Sequence, residues 1–216
     1  MKNLFVLSLL LVASLFPVHA ELLTIGSAPD LLDIEQSISL DGGLSFGGAE
    51  AYGIRVNARA SDRWLWFASL SNVDTGSADG ASVGGGILVT LPISGIPVAN
   101  GVKLSYNYQY GSGNTPQGRK VDADTSEIAL RYVMTGELSP ATNLRWFAEA
   151  GIHFFQTSVG YPEGFNPGDR YPRALGPVEA GLEAGLLMDV ADQVTLFGSV
   201  EYVEESRISL GLRYTF

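Results

Sequence analysis

Apolar and polar residues alternate one by one in many stretches of this chain, and this period of two limits its fold more than any other feature. The clearest stretch runs from Val102 to Tyr110, where every second side chain is large and the intervening ones are polar or charged. Because successive side chains of a strand point to opposite faces, this pattern predicts a strand with one apolar face. The same reasoning predicts further strands within residues 32–40, 46–60, 64–70, 82–93, 127–134, 145–154, 178–188, 195–202 and 208–216.

The two faces of these predicted strands differ in the side chains they carry. One face is uniformly large and apolar, whereas the other mixes glycine, serine, asparagine and charges of both signs. A soluble barrel places its large apolar residues in the narrow interior, but a membrane barrel turns them toward lipid and keeps a polar lumen. The pattern therefore favours a transmembrane barrel over a soluble β-sandwich or barrel.

The positions of aromatic residues support the same interpretation. Trp64, Trp66 and Trp146 lie beside short predicted turns, whereas Tyr110 and Tyr202 lie near the opposite strand ends. This distribution is typical of two aromatic girdles at the membrane interfaces. Scattered aromatic residues are also common in soluble β proteins, which remain the alternative.

The connections between strands predict the topology. Short links at 61–63, 139–143 and 191–193 alternate with longer ones at 73–81, 111–122 and 156–175. Short turns at one end and long loops at the other are typical of outer-membrane barrels. Eight strands are well marked from Trp64 onward, and a weaker hairpin precedes them. We therefore predict an all-β, antiparallel, up-and-down transmembrane barrel with ten strands, or with eight if the first hairpin is irregular.

The first twenty residues have the features of a secretory signal peptide. Lys2 precedes an apolar run, and Val18 and Ala20 place small residues at the positions ahead of a cleavage site. The apolar run is shorter than the roughly 20 residues that a spanning helix requires. The uncharged segment 80–102 is long enough, but its glycines and prolines disfavour a helix. We expect residues 1–20 to be removed on export and residues 21–216 to form a single barrel domain.

Composition excludes several functional classes. The 216-residue chain has no cysteine, which removes disulfides, thiolate metal sites and cysteine nucleophiles. Its formal net charge of −10 argues against a nucleic-acid partner, because a phosphate-binding surface needs clustered basic residues. No spacing of ligand residues predicts a metal site, and none predicts a cofactor. We expect a monomer.

The C-terminal residues resemble the β-signal that ends Gram-negative outer-membrane proteins. That signal has a polar residue, a glycine, an aromatic residue two positions before the end and a terminal aromatic residue. These correspond here to Ser209, Gly211, Tyr214 and Phe216. By size, the chain is similar to the small eight- to ten-stranded barrels typified by the barrel of outer membrane protein A. The resemblance implies insertion into the outer membrane by the barrel-assembly machinery, with outer-membrane lipid and lipopolysaccharide as neighbours. A fold of this kind implies no single activity.

Charged residues on the polar face predict a network inside the barrel. A narrow lumen is filled by side chains, and buried charges must be paired to offset their desolvation. The two signs nearly balance, which favours a salt-bridge network that plugs the lumen; a narrow passive channel with charged rings is the alternative. The residues that alternation turns inward are Arg55, Arg59, Lys103, Glu127, Arg131, Arg145, Glu149, His153, Glu179, Glu183, Glu201 and Arg213.

Two features of the sequence are of the kind found in catalytic sites, a G-x-S-x-G motif and a histidine. Residues 80–84 match the G-x-S-x-G motif, but a nucleophile elbow needs a following helix, and none is predicted. His153 is the only histidine outside the predicted signal peptide, and Glu149 lies about 13 Å along the same strand face, beyond hydrogen-bond reach. A catalytic histidine would need a cross-strand partner such as Glu179 or Glu183. We expect no enzymatic activity, with a lipid A or phospholipid-modifying enzyme as the less favoured alternative.

The long segment 156–175 carries aromatic and basic residues of the kind that contact partners at a surface. A passive loop is an equally good interpretation. We expect a structural or surface-interaction role for the protein. The candidate contact residues are Tyr161, Phe165, Arg170, Tyr171 and Arg173.

Overall fold

The computed structural model describes residues 38–47, 50–74, 78–92, 98–114, 120–139, 143–160, 174–203 and 205–216. The predicted signal peptide lies outside these residues, and so do the candidate loop contacts Tyr161, Phe165, Arg170, Tyr171 and Arg173. Within the described part of the chain, no helix is long and apolar enough to cross a membrane.

Ten antiparallel strands form a closed barrel in which each strand pairs with its neighbours in sequence and the first pairs with the last. This arrangement confirms the predicted all-β, up-and-down fold and the count of ten. The strands are β1 (Ile38–Phe46), β2 (Glu50–Ser61), β3 (Trp64–Asp74), β4 (Ala78–Leu91), β5 (Ala99–Asn114), β6 (Lys120–Ser139), β7 (Leu144–Gly160), β8 (Ala174–Ala191), β9 (Val194–Val203) and β10 (Glu205–Thr215).

The barrel has two ends that differ in their connections. We call the end where β1 begins and β10 finishes the terminal end, and the opposite one the loop end. At the loop end the predicted long link at 73–81 is wrong, because β3 and β4 pair as far as Asp74 and Asp79. The link predicted at 111–122 is also shorter in the structure, since β5 and β6 pair out to Asn114 and Lys120. Polar residues continue these ladders, so alternation with apolar residues underestimates their length.

The first strand extends beyond its predicted end. Alternation placed it at 32–40, whereas β1 spans Ile38–Phe46, and residues 32–37 lie outside the described part. Gly42 interrupts the apolar face of β1, which is why the pattern does not extend to Phe46. The predicted hairpin exists, and its first strand ends later than predicted, at Phe46.

Large apolar side chains cover the outside of the barrel. Ile54, Leu182 and Leu210 are each more than half exposed, and many similar residues surround them. Exposed Trp64 and Trp66 lie at the terminal end, whereas exposed Tyr110 and Tyr202 lie toward the loop end. The outer surface is therefore an apolar belt bordered by aromatic rings, as alternation predicted.

Candidate functional site: the barrel interior

An apolar layer lies inside the barrel near the terminal end. Leu65 closely follows the start of β3, and Leu187 lies shortly before the end of β8. Phe67 and Ala99 pack against the layer from its edge. The expectation of a polar lumen is therefore wrong at this level of the interior. The residues of the layer, which form one contiguous buried cluster, are Leu65, Leu88, Val133, Phe147, Leu187 and Phe197.

Glycines make room for the phenylalanine rings of this layer. Phe147 lies directly opposite Gly185 on the next strand. A Cβ atom on Gly185 would lie 2.4 Å from the Phe147 ring, so no larger residue fits without a shift. Two further pairs repeat the arrangement, with Phe67 opposite Gly86 and Phe197 opposite Gly211.

A buried ion-pair network lies next to the apolar layer on its loop-end side. Glu149, Glu183 and Glu201 are register neighbours on β7, β8 and β9, so their carboxylates lie side by side. Arg131 reaches all of them from β6: its Nη1 atom lies 3.3 Å from Glu149 and 3.3 Å from Glu183, and its Nη2 atom lies 2.5 Å from Glu201. The Lys103 ammonium lies 2.5 Å from Glu149. These five predicted residues therefore meet in one cluster.

A second ionic cluster lies across the interior where the first and last strands meet. Arg213 binds Asp41 through two bonds, from Nε to Oδ1 at 2.8 Å and from Nη2 to Oδ2 at 3.0 Å. Asn57 donates a further hydrogen bond of 2.9 Å to Asp41 Oδ2. Arg55 is buried nearby, with its guanidinium 4.0 Å from the centre of the Phe67 ring. This bidentate geometry is the strongest form of an arginine–carboxylate contact.

Two charged residues that the structure buries in the interior were not predicted from the sequence. Asp41 lies one residue beyond the end of the predicted first strand, and Arg207 lies one residue before the predicted last strand. Both are buried, and Arg207 Nη1 lies 3.5 Å from Glu201 Oε2. Alternation could have identified Arg207, because it lies an even number of residues from Ser209 and Arg213 and so shares their face of the strand.

His153 is fully buried and hydrogen-bonded to Glu127 through its Nδ1 atom. Asn107 donates a hydrogen bond of 3.0 Å to the other oxygen of this carboxylate. The imidazole stacks on Phe155, with 6.0 Å between the ring centroids. Sequence reasoning considered Glu179 and Glu183 as partners of the histidine and did not consider Glu127. The geometry describes a histidine held in the interior by packing and hydrogen bonds.

The remaining predicted interior residues lie in less buried positions. Arg59, Arg145 and Glu179 are partly exposed. Near the terminal end, Arg145 Nη2 lies 2.5 Å from Asp189 Oδ1, and Thr195 donates a 2.7 Å hydrogen bond to the same oxygen. These residues lie on the inner face that alternation predicted, but outside the centre of the ion-pair network.

The G-x-S-x-G motif lies within a strand. Ser82 is buried in the interior in the middle of β4, and the chain continues as strand on both sides. A nucleophile elbow is therefore not present at this position. Among the residues that the structure describes, no group of three or more His, Asp or Glu side chains is arranged to hold a metal ion.

The residues of the β-signal resemblance divide between the two faces of β10. Ser209 is buried, and Gly211 lies against the Phe197 ring on the inner face. Tyr214 and Phe216 are exposed outside, and their rings meet edge to face with centroids 5.0 Å apart. The two aromatic residues thus add to the belt of rings at the terminal end.

No protein-family model matches the sequence, and no curated protein matches it. Several solved structures are similar. The outer membrane protease OmpT from Escherichia coli has 9% identity and a TM-score of 0.49 over 84% of this chain and 94% of its own. The KdgM porin has 10% identity and a TM-score of 0.42 over 82% of this chain and 99% of its own.

A further similar structure is that of the Yersinia pestis outer membrane protein Ail in a phospholipid bilayer nanodisc. It has 13% identity and a TM-score of 0.41 over 84% of this chain and 100% of its own. The similarity to these proteins concerns fold alone. The closed ten-stranded barrel confirms, for architecture, the expected resemblance to small outer-membrane barrels.

Proposed function

We propose that this protein is an integral outer-membrane barrel whose interior is closed to ions, and that it acts as a structural or surface-interaction component of that membrane. The observation that carries the proposal is the interior itself, where a contiguous apolar layer lies next to a buried ion-pair network. An ion crossing the apolar layer would lose its hydration shell without gaining polar partners, which is costly.

The outer surface supports the membrane location. A soluble monomer rarely exposes contiguous apolar patches larger than a few hundred Å², whereas this barrel exposes large apolar side chains on every strand. The aromatic rings at both ends of the belt and the C-terminal resemblance support the same location. We propose that the signal peptide directs export and that the barrel-assembly machinery recognises the terminus.

Conductance in planar lipid bilayers tests the closed interior. We expect no reproducible ion steps from the purified wild-type barrel. The double variant Phe147→Ala/Phe197→Ala, which removes two rings from the apolar layer, is expected to produce them. Reproducible steps from the wild type would overturn the closed interior and favour the narrow channel. A silent double variant that still forms a folded barrel would show that the apolar layer is not the barrier.

Outer-membrane lipid and lipopolysaccharide are the partners that this proposal implies. A barrel seated in lipopolysaccharide should unfold at a higher urea concentration in vesicles containing it than in phospholipid vesicles alone, because a ligand of the folded state stabilises it. Equal midpoints in the two kinds of vesicle would refute a specific lipopolysaccharide contact. A single band of monomer mass after chemical cross-linking in such vesicles would agree with the proposed monomer.

A further inference from the structure

The seam between β1 and β10 differs from every other strand pair of the barrel. The other neighbouring strands follow one another in sequence, so their connections limit the register between them. No connection joins β1 to β10, because they are the first and last strands. Something other than a turn must therefore select their register when the barrel closes.

Most side chains along the seam cannot make this selection. On the outer face, apolar residues lie opposite one another, as in the pairs Leu44 with Leu210 and Phe46 with Ile208. On the inner face, Gly43 lies opposite Gly211. A slip of two residues would keep every residue on its own face and would exchange one small or apolar pair for another.

One pair along the seam is different. Asp41 lies directly opposite Arg213, is fully buried, and receives two hydrogen bonds from its guanidinium. A slip of two residues moves the strands by about 6.6 Å relative to each other, which places a glycine or a threonine opposite Asp41. The bidentate contact would then be lost while both charges stayed inside the barrel, with Asp41 still opposite Arg55 of β2. Breaking a buried ion pair is strongly unfavourable.

We propose that the Asp41–Arg213 ion pair selects the register in which β1 closes on β10. Asn57 contributes by binding the same carboxylate from β2, which fixes Asp41 in position before the seam forms. Selection of register is the best-attested role of buried polar pairs in proteins. The proposal concerns assembly and does not depend on whether the interior conducts ions.

Disulfide cross-linking reads the register directly, because the natural chain contains no cysteine. Leu44→Cys is combined in turn with Leu210→Cys, which pairs with it in the native register, and with Ile208→Cys or Leu212→Cys, which report slips of two residues. A disulfide needs Cα atoms closer than about 7 Å, so each pair reports one register. Residues 21–216 are refolded into lipid vesicles, oxidised and analysed by mass spectrometry.

With Asp41 and Arg213 intact, we expect the cross-link between positions 44 and 210 to predominate. Asp41→Asn is expected to lower the ratio of native to slipped cross-links roughly tenfold or more, because the charge-assisted bidentate pair is lost. Arg207→Gln is the matched control. Arg207 is also a buried arginine of β10, but the carboxylate it contacts is Glu201 of β9, across the β9–β10 hairpin. This variant should keep the native ratio.

An Asp41→Asn variant that cross-links only in the native register would overturn the proposal, as would an equal loss of register in Arg207→Gln. If Asp41→Asn yields no heat-modifiable barrel on a semi-native gel, the exchanged pair Asp41→Arg/Arg213→Asp decides. It is made in an Arg55→Gln background, because Arg55 lies opposite position 41 and two buried arginines there would repel each other. Return of the native cross-link in the exchanged pair supports register selection by this ion pair. Failure of the exchanged pair to restore it overturns the proposal.

Discussion

Removing the guanidinium of Arg131 should destabilise the barrel more than any other single change in the ion-pair network. Arg131→Met keeps an unbranched apolar stem and removes the guanidinium with its charge. Three carboxylates that lie side by side then lose the cation that contacts them at 2.5–3.3 Å. Lys103 still lies 2.5 Å from Glu149, and Arg207 still lies 3.5 Å from Glu201. Glu183 keeps two negatively charged neighbours in the register, Glu149 and Glu201.

The expected magnitude follows from the burial of the network. Breaking a buried ion pair by removing one partner costs about 3–5 kcal/mol, because a charge remains without compensation. Natural domains are stable by about 5–15 kcal/mol, so this loss is a large fraction of the total. Arg63→Met is the matched control, since Arg63 is exposed in the turn between β2 and β3. We expect that change to alter the free energy of unfolding by less than about 0.5 kcal/mol.

The sign of a second substitution makes the test sharper. In the wild type, Glu183→Gln removes one partner of Arg131 and is expected to destabilise. In the Arg131→Met background, the same substitution removes one of three crowded negative charges and is expected to stabilise by about 1 kcal/mol or more. Such a reversal of sign requires that the two side chains interact, and a general packing defect would not produce it.

Urea titration in lipid vesicles, followed by tryptophan fluorescence, measures these free energies. Trp64, Trp66 and Trp146 all lie near the terminal end, so their emission reports whether the belt is still in lipid. The reasoning is refuted if Arg131→Met is within about 1 kcal/mol of Arg63→Met, or if Glu183→Gln changes stability in the same direction in both backgrounds. Bilayer conductance should stay absent in Arg131→Met, because its apolar layer is intact.

Three further predictions concern single positions. Gly185→Val should destabilise the barrel by about 1–3 kcal/mol, because its Cβ would lie 2.4 Å from the Phe147 ring. Phe147→Ala in the same chain should recover part of the lost free energy of unfolding. If urea titration shows that the two substitutions have additive effects, the contact is contradicted. Deletion of Phe216 should reduce the fraction of protein recovered in the outer membrane, and recovery equal to the wild type would exclude a role for this residue in insertion. His153→Ala should leave the lipid A mass spectrum of expressing cells unchanged, whereas loss of an acyl chain that depends on His153 would establish catalysis.

The central strands could be predicted because alternation between an apolar and a polar face is a strong signal. Alternation placed Lys103, Glu127 and Arg131 on the inner face, where the structure buries them. It failed where that signal weakens. Asp41 was missed because Gly42 interrupts the outer face of β1. The ends of β5 and β6 were assigned to loops because glycine and polar residues predominate there.

The apolar layer was missed for a different reason. Alternation assigned to the polar face three residues of the layer, Val133, Phe147 and Phe197. Because the lumen was predicted to be polar throughout, an apolar layer was not expected there. A glycine on the neighbouring strand was the available clue, since an interior ring needs space that only glycine leaves. The partner of His153 could not be predicted in the same way, because the histidine and Glu127 are not directly opposite in the register.

Alternation and interior pairing therefore specify different properties of this barrel. A slip of one residue turns the apolar face inward and is excluded by alternation alone, but a slip of two residues preserves both faces. Only interior pairs distinguish the native register from such a slip: a ring opposite a glycine, as in Phe67 with Gly86, or an aspartate opposite an arginine. In hairpins these pairs reinforce a register that the turn already limits. At the seam they act without a turn, so a substitution there should change register, whereas the same loss within a hairpin should change only stability.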